Sequence, residues 1–195
     1  MHIRTEDTPN PLSMKFLPGQ DVLGAGQLGM DFPSEEAAGI SPLAKALFDV
    51  AGVTSVYLGA DFVTVSKDAA TDWDHLRPAV LGTLADFLAA GIPVMDAGQA
   101  TQTPGTTAAE DYKGEDREVV EQIMTLLDTR VRPAVAEDGG DITFHRYEPG
   151  DGIVYLEMKG ACAGCPSSTM TLKAGIENLL RHYIPEVNAV EPVGM

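Results

Sequence analysis

The chain has 195 residues, of which 44% are apolar, and this composition is ordinary for a globular protein with a buried core. Its formal net charge of −16 disfavours nucleic-acid binding, which needs clustered Lys and Arg, and it disfavours docking on an anionic membrane surface. No segment approaches the run of about 18 consecutive apolar residues that is typical of a transmembrane helix.

The first half of the chain predicts a small α+β domain over residues 1–96. Short extended segments at residues 3–8 and 14–17 flank Pro9-Asn10-Pro11, which is a turn signal. Two segments rich in β-branched and aromatic residues, 53–57 and 62–66, are separated by a short Gly-containing turn and predict a hairpin.

Two helices are predicted in the same half. Ser41 and Pro42 predict the start of a short helix, because Ser caps helices and Pro fits the first helical position. A longer helix is predicted over residues 71–90, where apolar residues keep helical spacing. Pro78 predicts a kink or a restart within this helix, and Gly91 predicts its end.

A linker is predicted over residues 97–116. This segment lacks Leu, Ile, Val and Phe and is rich in Gly, Thr, Ala and polar residues, a composition typical of flexible chain. The sequence therefore predicts two small α+β domains, residues 1–96 and 117–195, joined by a flexible linker.

The second half predicts helix, hairpin, loop, helix and a last strand. The first helix is predicted over residues 115–129, with a break or bend at Arg132-Pro133, and Asp138-Gly139-Gly140-Asp141 is expected to form a turn. The remaining predicted elements are strands at 142–147 and 153–158, a helix at 166–182 and a strand at 187–193.

The only two cysteines of the chain, Cys162 and Cys165, lie in the loop between the second of these strands and the following helix. The N-terminus of that helix is expected to favour the thiolate form of the cysteines, and the hydroxyls of Ser167, Ser168 and Thr169 are expected to donate to sulfur. The nearby Met158 and Met170 are expected to pack rather than to bind a metal.

This cysteine pair leaves several uses open. Two thiolates can form half of a zinc site, half of an iron–sulfur site or a redox-active dithiol, and they can also be small packed side chains without a ligand. Two thiolates cannot complete a four-coordinate site, so any metal centre needs further ligands from outside the chain.

The second half resembles the NifU C-terminal (Nfu-type) iron–sulfur scaffold domain. The resemblance rests on Arg132-Pro133, on Asp138-Gly139-Gly140-Asp141, on Ile184-Pro185-Glu186-Val187, and on the unbroken string from Gly160 to Glu177. The first half resembles the N-terminal domain that accompanies it in Nfu proteins, through residues 5–11, 15–19, 41–44 and 77–78.

The resemblance implies a function and a site. Cys162 and Cys165 are then expected to bind an iron–sulfur cluster, [4Fe–4S] in preference to [2Fe–2S], that bridges two protomers of a homodimer. The protein is then a scaffold or carrier rather than an enzyme, and its partners are a cluster donor and apo-protein acceptors.

Two other functions compete with this one, a thiol–disulfide oxidoreductase and a zinc-bridged Cys₄ dimer. The N-terminal residues 1–7 lack the features of a secretory or transit peptide, so a bacterial-type cytoplasmic location is expected.

Overall fold

A computed structural model describes residues 2–24, 27–96, 111–163 and 166–193, without the side chains of residues 166–168. The chain divides into two compact α+β units, and the division falls between Gln102 and Thr103. No helix of these described ranges is long and apolar enough to cross a bilayer. The predicted α+β class is confirmed in both units.

The first unit contains a five-stranded antiparallel sheet with the spatial order β1-β2-β5-β4-β3. Four of its strands lie where the sequence predicts them, whereas β3 was missed because three residues carry too little pattern to reveal a strand. The strands are β1 (Arg4–Asp7), β2 (Ser13–Leu17), β3 (Met30–Phe32), β4 (Val53–Leu58) and β5 (Val63–Lys67).

Two helices, α1 (Pro42–Phe48) and α2 (Trp73–Ala89), contribute buried apolar residues to the core of this unit. The Ala44 backbone N–H donates to Ser41 Oγ over 3.1 Å, so Ser41 caps α1 as predicted, a contact typically worth about 1 kcal/mol. Helix α2 continues through Pro78 as one helix, so the predicted restart is absent. A short 3₁₀ turn, Ala37–Ile40, precedes α1 and was not predicted.

The second unit begins with a continuous helical stretch of three parts. Helix α3 (Glu115–Leu126) is followed by a π-helical turn (Leu127–Val131) and by helix α4 (Arg132–Glu137). The predicted break at Arg132-Pro133 is absent, because the chain stays helical there, and the π-helical turn lies directly before α4. Asp116, which the sequence assigns to the linker, lies in the first turn of α3.

The sheet of the second unit has the order β6-β7-β8. Strands β6 (Gly140–Glu148) and β7 (Ile153–Gly160) form the predicted antiparallel hairpin. Helix α5 (Pro166–Tyr183) then crosses over, so that β8 (Ala189–Val193) pairs with β7 in parallel. The loop that carries Cys162 therefore connects the central strand to the crossover helix.

Candidate functional site

Cys162 lies in the turn that follows β7, and the structure describes its backbone and side chain. The Ala161 backbone N–H donates to the Gly139 carbonyl over 3.2 Å, and the Cys162 N–H donates to the Lys159 carbonyl over 3.3 Å. Gly160 has a φ of 61°, which is the left-handed conformation that lets the chain leave the strand sharply. The turn thus folds back on the start of β6, and Cys162 is only 6% exposed.

Gly140 makes room for the sulfur of Cys162. A Cβ built on Gly140 would overlap with Cys162 Sγ, and it would also lie 3.0 Å from the Cys162 backbone nitrogen and from the Lys159 carbonyl oxygen. The preceding Gly139 has a φ of 78°, so the pair of glycines supplies both the turn and the close approach. The sequence predicts this turn, but it does not reveal that Cys162 packs on it.

Thr169, in the first turn of α5, holds the cysteine loop from the other side. Its side chain is buried, and its hydroxyl donates to the carbonyl oxygen of Cys162 over 3.3 Å. The predicted bond from Thr169 to sulfur is therefore replaced by a bond to the backbone. Cys165 and the side chains of Ser167 and Ser168 lie outside the described part of the chain.

An ion pair between Arg132 and Asp141 connects α4 to the start of β6. Arg132 Nε lies 2.8 Å from Asp141 Oδ1, and Arg132 Nη2 lies 2.9 Å from Asp141 Oδ2, which is a bidentate arrangement. Oδ1 also accepts the Ile142 backbone N–H at 2.8 Å. The Asp141 side chain is 6% exposed and that of Arg132 23%.

The ion pair affects the protonation of Arg132. The hydrogen bond from Arg132 to Asp141 raises the pKa of Arg132 above its usual range. The sequence marks Arg132 and Asp141 only as parts of two separate motifs, and a nine-residue separation carries no periodic signal that would reveal the pair.

The environment of Cys162 favours the neutral thiol. Burial, followed by the negative charges of Asp138 and Asp141, raises the pKa of Cys162 to about 12. This result differs from the expectation that the helix N-terminus favours a thiolate, because desolvation of a buried sulfur outweighs a helix-dipole effect that is typically worth about 1 kcal/mol.

The two methionines near the cysteines behave differently. Met158 is partly buried and packs against the core of the unit, as expected. Met170 is 72% exposed, so the expected packing is not seen for this side chain. It is the most exposed large apolar side chain in the described ranges, and it directly follows Thr169.

Comparisons with known proteins identify both halves of the chain. A family model described as the scaffold protein Nfu/NifU N terminal matches residues 3–91, and one described as a NifU-like domain matches residues 123–191. The NFU1 iron-sulfur cluster scaffold homologs of Drosophila willistoni and Drosophila virilis, both named mitochondrial, are 51% and 52% identical to it over 193 residues. These matches cover 99% of this chain and 64% and 62% of the relatives.

A solution structure of a NifU-like protein from Saccharomyces cerevisiae is 32% identical to the chain, with a TM-score of 0.45. The match covers 49% of this chain and 85% of that one.

The names of the relatives correct one prediction. The bacterial cytoplasmic location expected from residues 1–7 is contradicted, because proteins that match over 99% of this chain are named mitochondrial. The chain spans less than two thirds of the length of these relatives, so its first residues are a poor basis for a location.

Proposed function

The chain belongs to the Nfu/NifU family, and from this premise we propose that it is an iron–sulfur cluster scaffold that delivers its cluster to apo-proteins. In this proposal Cys162 and Cys165 bind the cluster, which is cargo rather than a resident cofactor. The cluster is of the [4Fe–4S] type, and it bridges two protomers.

The observation that carries the proposal is the half-site on the β7–α5 loop. The chain has two cysteines, both in this loop, whereas a [4Fe–4S] cluster is commonly held by four thiolates. Two copies of the chain supply four. A cluster held at a subunit interface is released when the two subunits separate, which suits a protein that gives its cluster away.

The residues around Cys162 support an exchangeable site. Cys162 must lose its proton to bind iron, and its pKa of about 12 makes that loss unfavourable at neutral pH. Because the cluster must displace this proton, the apparent affinity of the site at neutral pH is lower than that of a site with acidic thiols. Gly140 and Thr169 both contact Cys162 and hold its part of the loop against the fold.

The oxidoreductase alternative fits this environment less well, and the zinc alternative is distinguished by spectroscopy. A thiol–disulfide oxidoreductase needs an accessible, acidic thiol, whereas Cys162 is buried and its pKa is raised. A zinc-bridged dimer would use the same four thiolates, but it would be colourless and would not change with redox state.

Cluster transfer tests the proposal. The chain is reconstituted anaerobically with iron and sulfide, freed of small ions, and mixed with an apo-enzyme whose activity requires a [4Fe–4S] cluster. We expect a visible and Mössbauer spectrum of a [4Fe–4S] cluster and recovery of enzyme activity faster than with equal amounts of free iron and sulfide. A Cys165→Ser variant should neither retain the cluster nor transfer it. Full retention and transfer by that variant would contradict the assignment of the ligands.

A further inference from the structure

We propose that the exposed face of α5, from Met170 to Asn178, is the surface on which a second copy of the chain docks when the cluster is shared. The inference rests on the proposed function, and it adds where the two copies meet. The exposed residues of this face are all uncharged: Met170, Thr171, Ala174, Gly175 and Asn178.

The position of the face follows from the half-site. The Thr169 hydroxyl contacts the carbonyl of Cys162, and Met170 is the next residue, so the face begins beside the cysteine loop. Two copies that contribute thiolates to one cluster must bring their β7–α5 loops together. The surface adjacent to those loops therefore becomes the contact between the copies.

The charge of the chain favours the same surface. Residues 97–195 contain 8 basic and 16 acidic side chains, so two copies of this half carry −8 each and repel one another. An uncharged face is a surface on which like-charged copies approach at low cost. An acidic or basic partner would find no complementary charge there.

The charged residues at the edge of this face are already used within the chain. Lys173 Nζ lies 2.8 Å from Glu191 Oε1, and Glu177 Oε2 accepts the Val190 backbone N–H at 3.1 Å. Both contacts attach α5 to β8. The outer surface of the helix is therefore formed by the exposed Met170 and, one turn further along, by Ala174 and Gly175.

The shape of the face suits close packing of two helices. Ala174 and Gly175 lie one turn after Met170, and a Cβ added to Gly175 would meet no atom within 4 Å. In a twofold interface the same patch occurs on both subunits, so a methionine from one copy can pack on the small residues of the other. Met is well suited to this role because its side chain is flexible and polarizable.

The test places one negative charge on this face and the same charge elsewhere. Met170→Glu is compared with Gln122→Glu, which changes an exposed residue of α3 in the groove beside Tyr183, at the other end of α5. Met170→Leu serves as the conservative variant. Each full-length chain is reconstituted anaerobically, and its dimer dissociation constant and rate of cluster loss are measured by sedimentation and by visible absorbance.

We expect Met170→Glu to weaken the dimer and speed cluster loss by about tenfold or more relative to Gln122→Glu, with Met170→Leu close to wild type. Melting curves of the cluster-free proteins should agree, because residue 170 is exposed. If the wild-type chain forms cluster-bridged dimers and the two Glu variants have equal dissociation constants and rates of cluster loss, the docking face is overturned but the proposed function is not. A wild-type chain that gains no cluster would instead overturn the proposed function.

Discussion

At the scale of single residues, the contact between Gly140 and Cys162 determines the shape of the site. The two residues are 22 positions apart in sequence, yet the sulfur occupies the space that a side chain at position 140 would fill. The placement of Cys162 is thus fixed by the backbone of a neighbouring strand and not only by its own loop.

Replacing Gly140 by Ala tests this contact. We expect the variant to lose about 1–3 kcal/mol of unfolding free energy, because the added methyl group must displace the sulfur or the backbone of β7. Urea unfolding of the cluster-free chain measures the loss. Gly150→Ala is the control in the same unit, since a Cβ there meets no atom within 4 Å, and it should change stability by less than about 0.5 kcal/mol. Equal stability of the two variants would contradict the packing of Cys162 on Gly140.

The raised pKa of Cys162 predicts a pH dependence of stability. Its ordinary pKa is near 9 in the unfolded chain and about 12 in the folded one. Folding favours the neutral Cys162 thiol, and this stabilisation is fully present below pH 9. It decreases as the pH rises from 9 to 12, because the unfolded chain then loses the proton while the folded chain keeps it. The decrease approaches about 1.4 kcal/mol per pH unit within that window.

Urea unfolding under reducing conditions at pH 7.5, 9 and 10.5 measures this effect. A Cys165→Ser chain is compared with a Cys162→Ala/Cys165→Ser chain, so that the titration of Tyr, Lys and Cys165 cancels in the difference. We expect the difference in unfolding free energy to fall between pH 9 and 10.5 and to be constant below. A constant difference across the whole range would show that Cys162 is not held as a neutral buried thiol.

The sequence could identify the cysteines but not their surroundings. Cys162 and Cys165 stand out because they are the only cysteines and lie between a strand and a helix. Gly140 and the carboxylate of Asp141 lie near Cys162 only because β6 pairs with β7. Burial then reverses the expected thiolate preference, and the extent of burial is a property of the tertiary fold.

At the scale of elements, the ion pair of Arg132 with Asp141 joins α4 to β6. Arg132→Met leaves the buried Asp141 carboxylate without its cation, so we expect a loss of about 2–4 kcal/mol in unfolding free energy. Adding Asp141→Asn should recover part of the loss, because the unpaired charge is removed. Urea unfolding of the two single variants and the double variant gives the coupling energy.

The control for this cycle is an exposed pair of the same kind. Arg117 Nε lies 2.9 Å from Glu121 Oε1 on the surface of α3, and Arg117→Met should cost less than about 1 kcal/mol. A loss at Arg132 no greater than that at Arg117 would mean that the Arg132–Asp141 pair is not needed to hold the two elements together.

Strands and helices with clear periodicity could be predicted, and irregular ones could not. The hairpin of β6 and β7, helix α5 and the capped start of α1 follow from pattern and capping chemistry. Strand β3 has three residues, and the π-helical turn before α4 needs one unusual hydrogen-bonding register, so neither leaves a periodic signal. Pro78 predicts a restart by its chemistry, yet α2 continues through it as one helix.

At the scale of the whole molecule, the incomplete ligand set is the central feature. The chain pairs an N-terminal Nfu-type unit with a NifU-like unit, and only the second carries cysteines. A half-site, a buried thiol and an uncharged helix face beside it are together consistent with a cluster that is shared by two copies and then released.

Native mass spectrometry of the anaerobically reconstituted chain tests this account most directly. The account predicts a species with the mass of two chains and one cluster of four irons and four sulfides, and it predicts that Cys162→Ser and Cys165→Ser variants yield only cluster-free chains. A single chain that carries a complete [4Fe–4S] cluster, or a dimer that retains the cluster after either substitution, would contradict it.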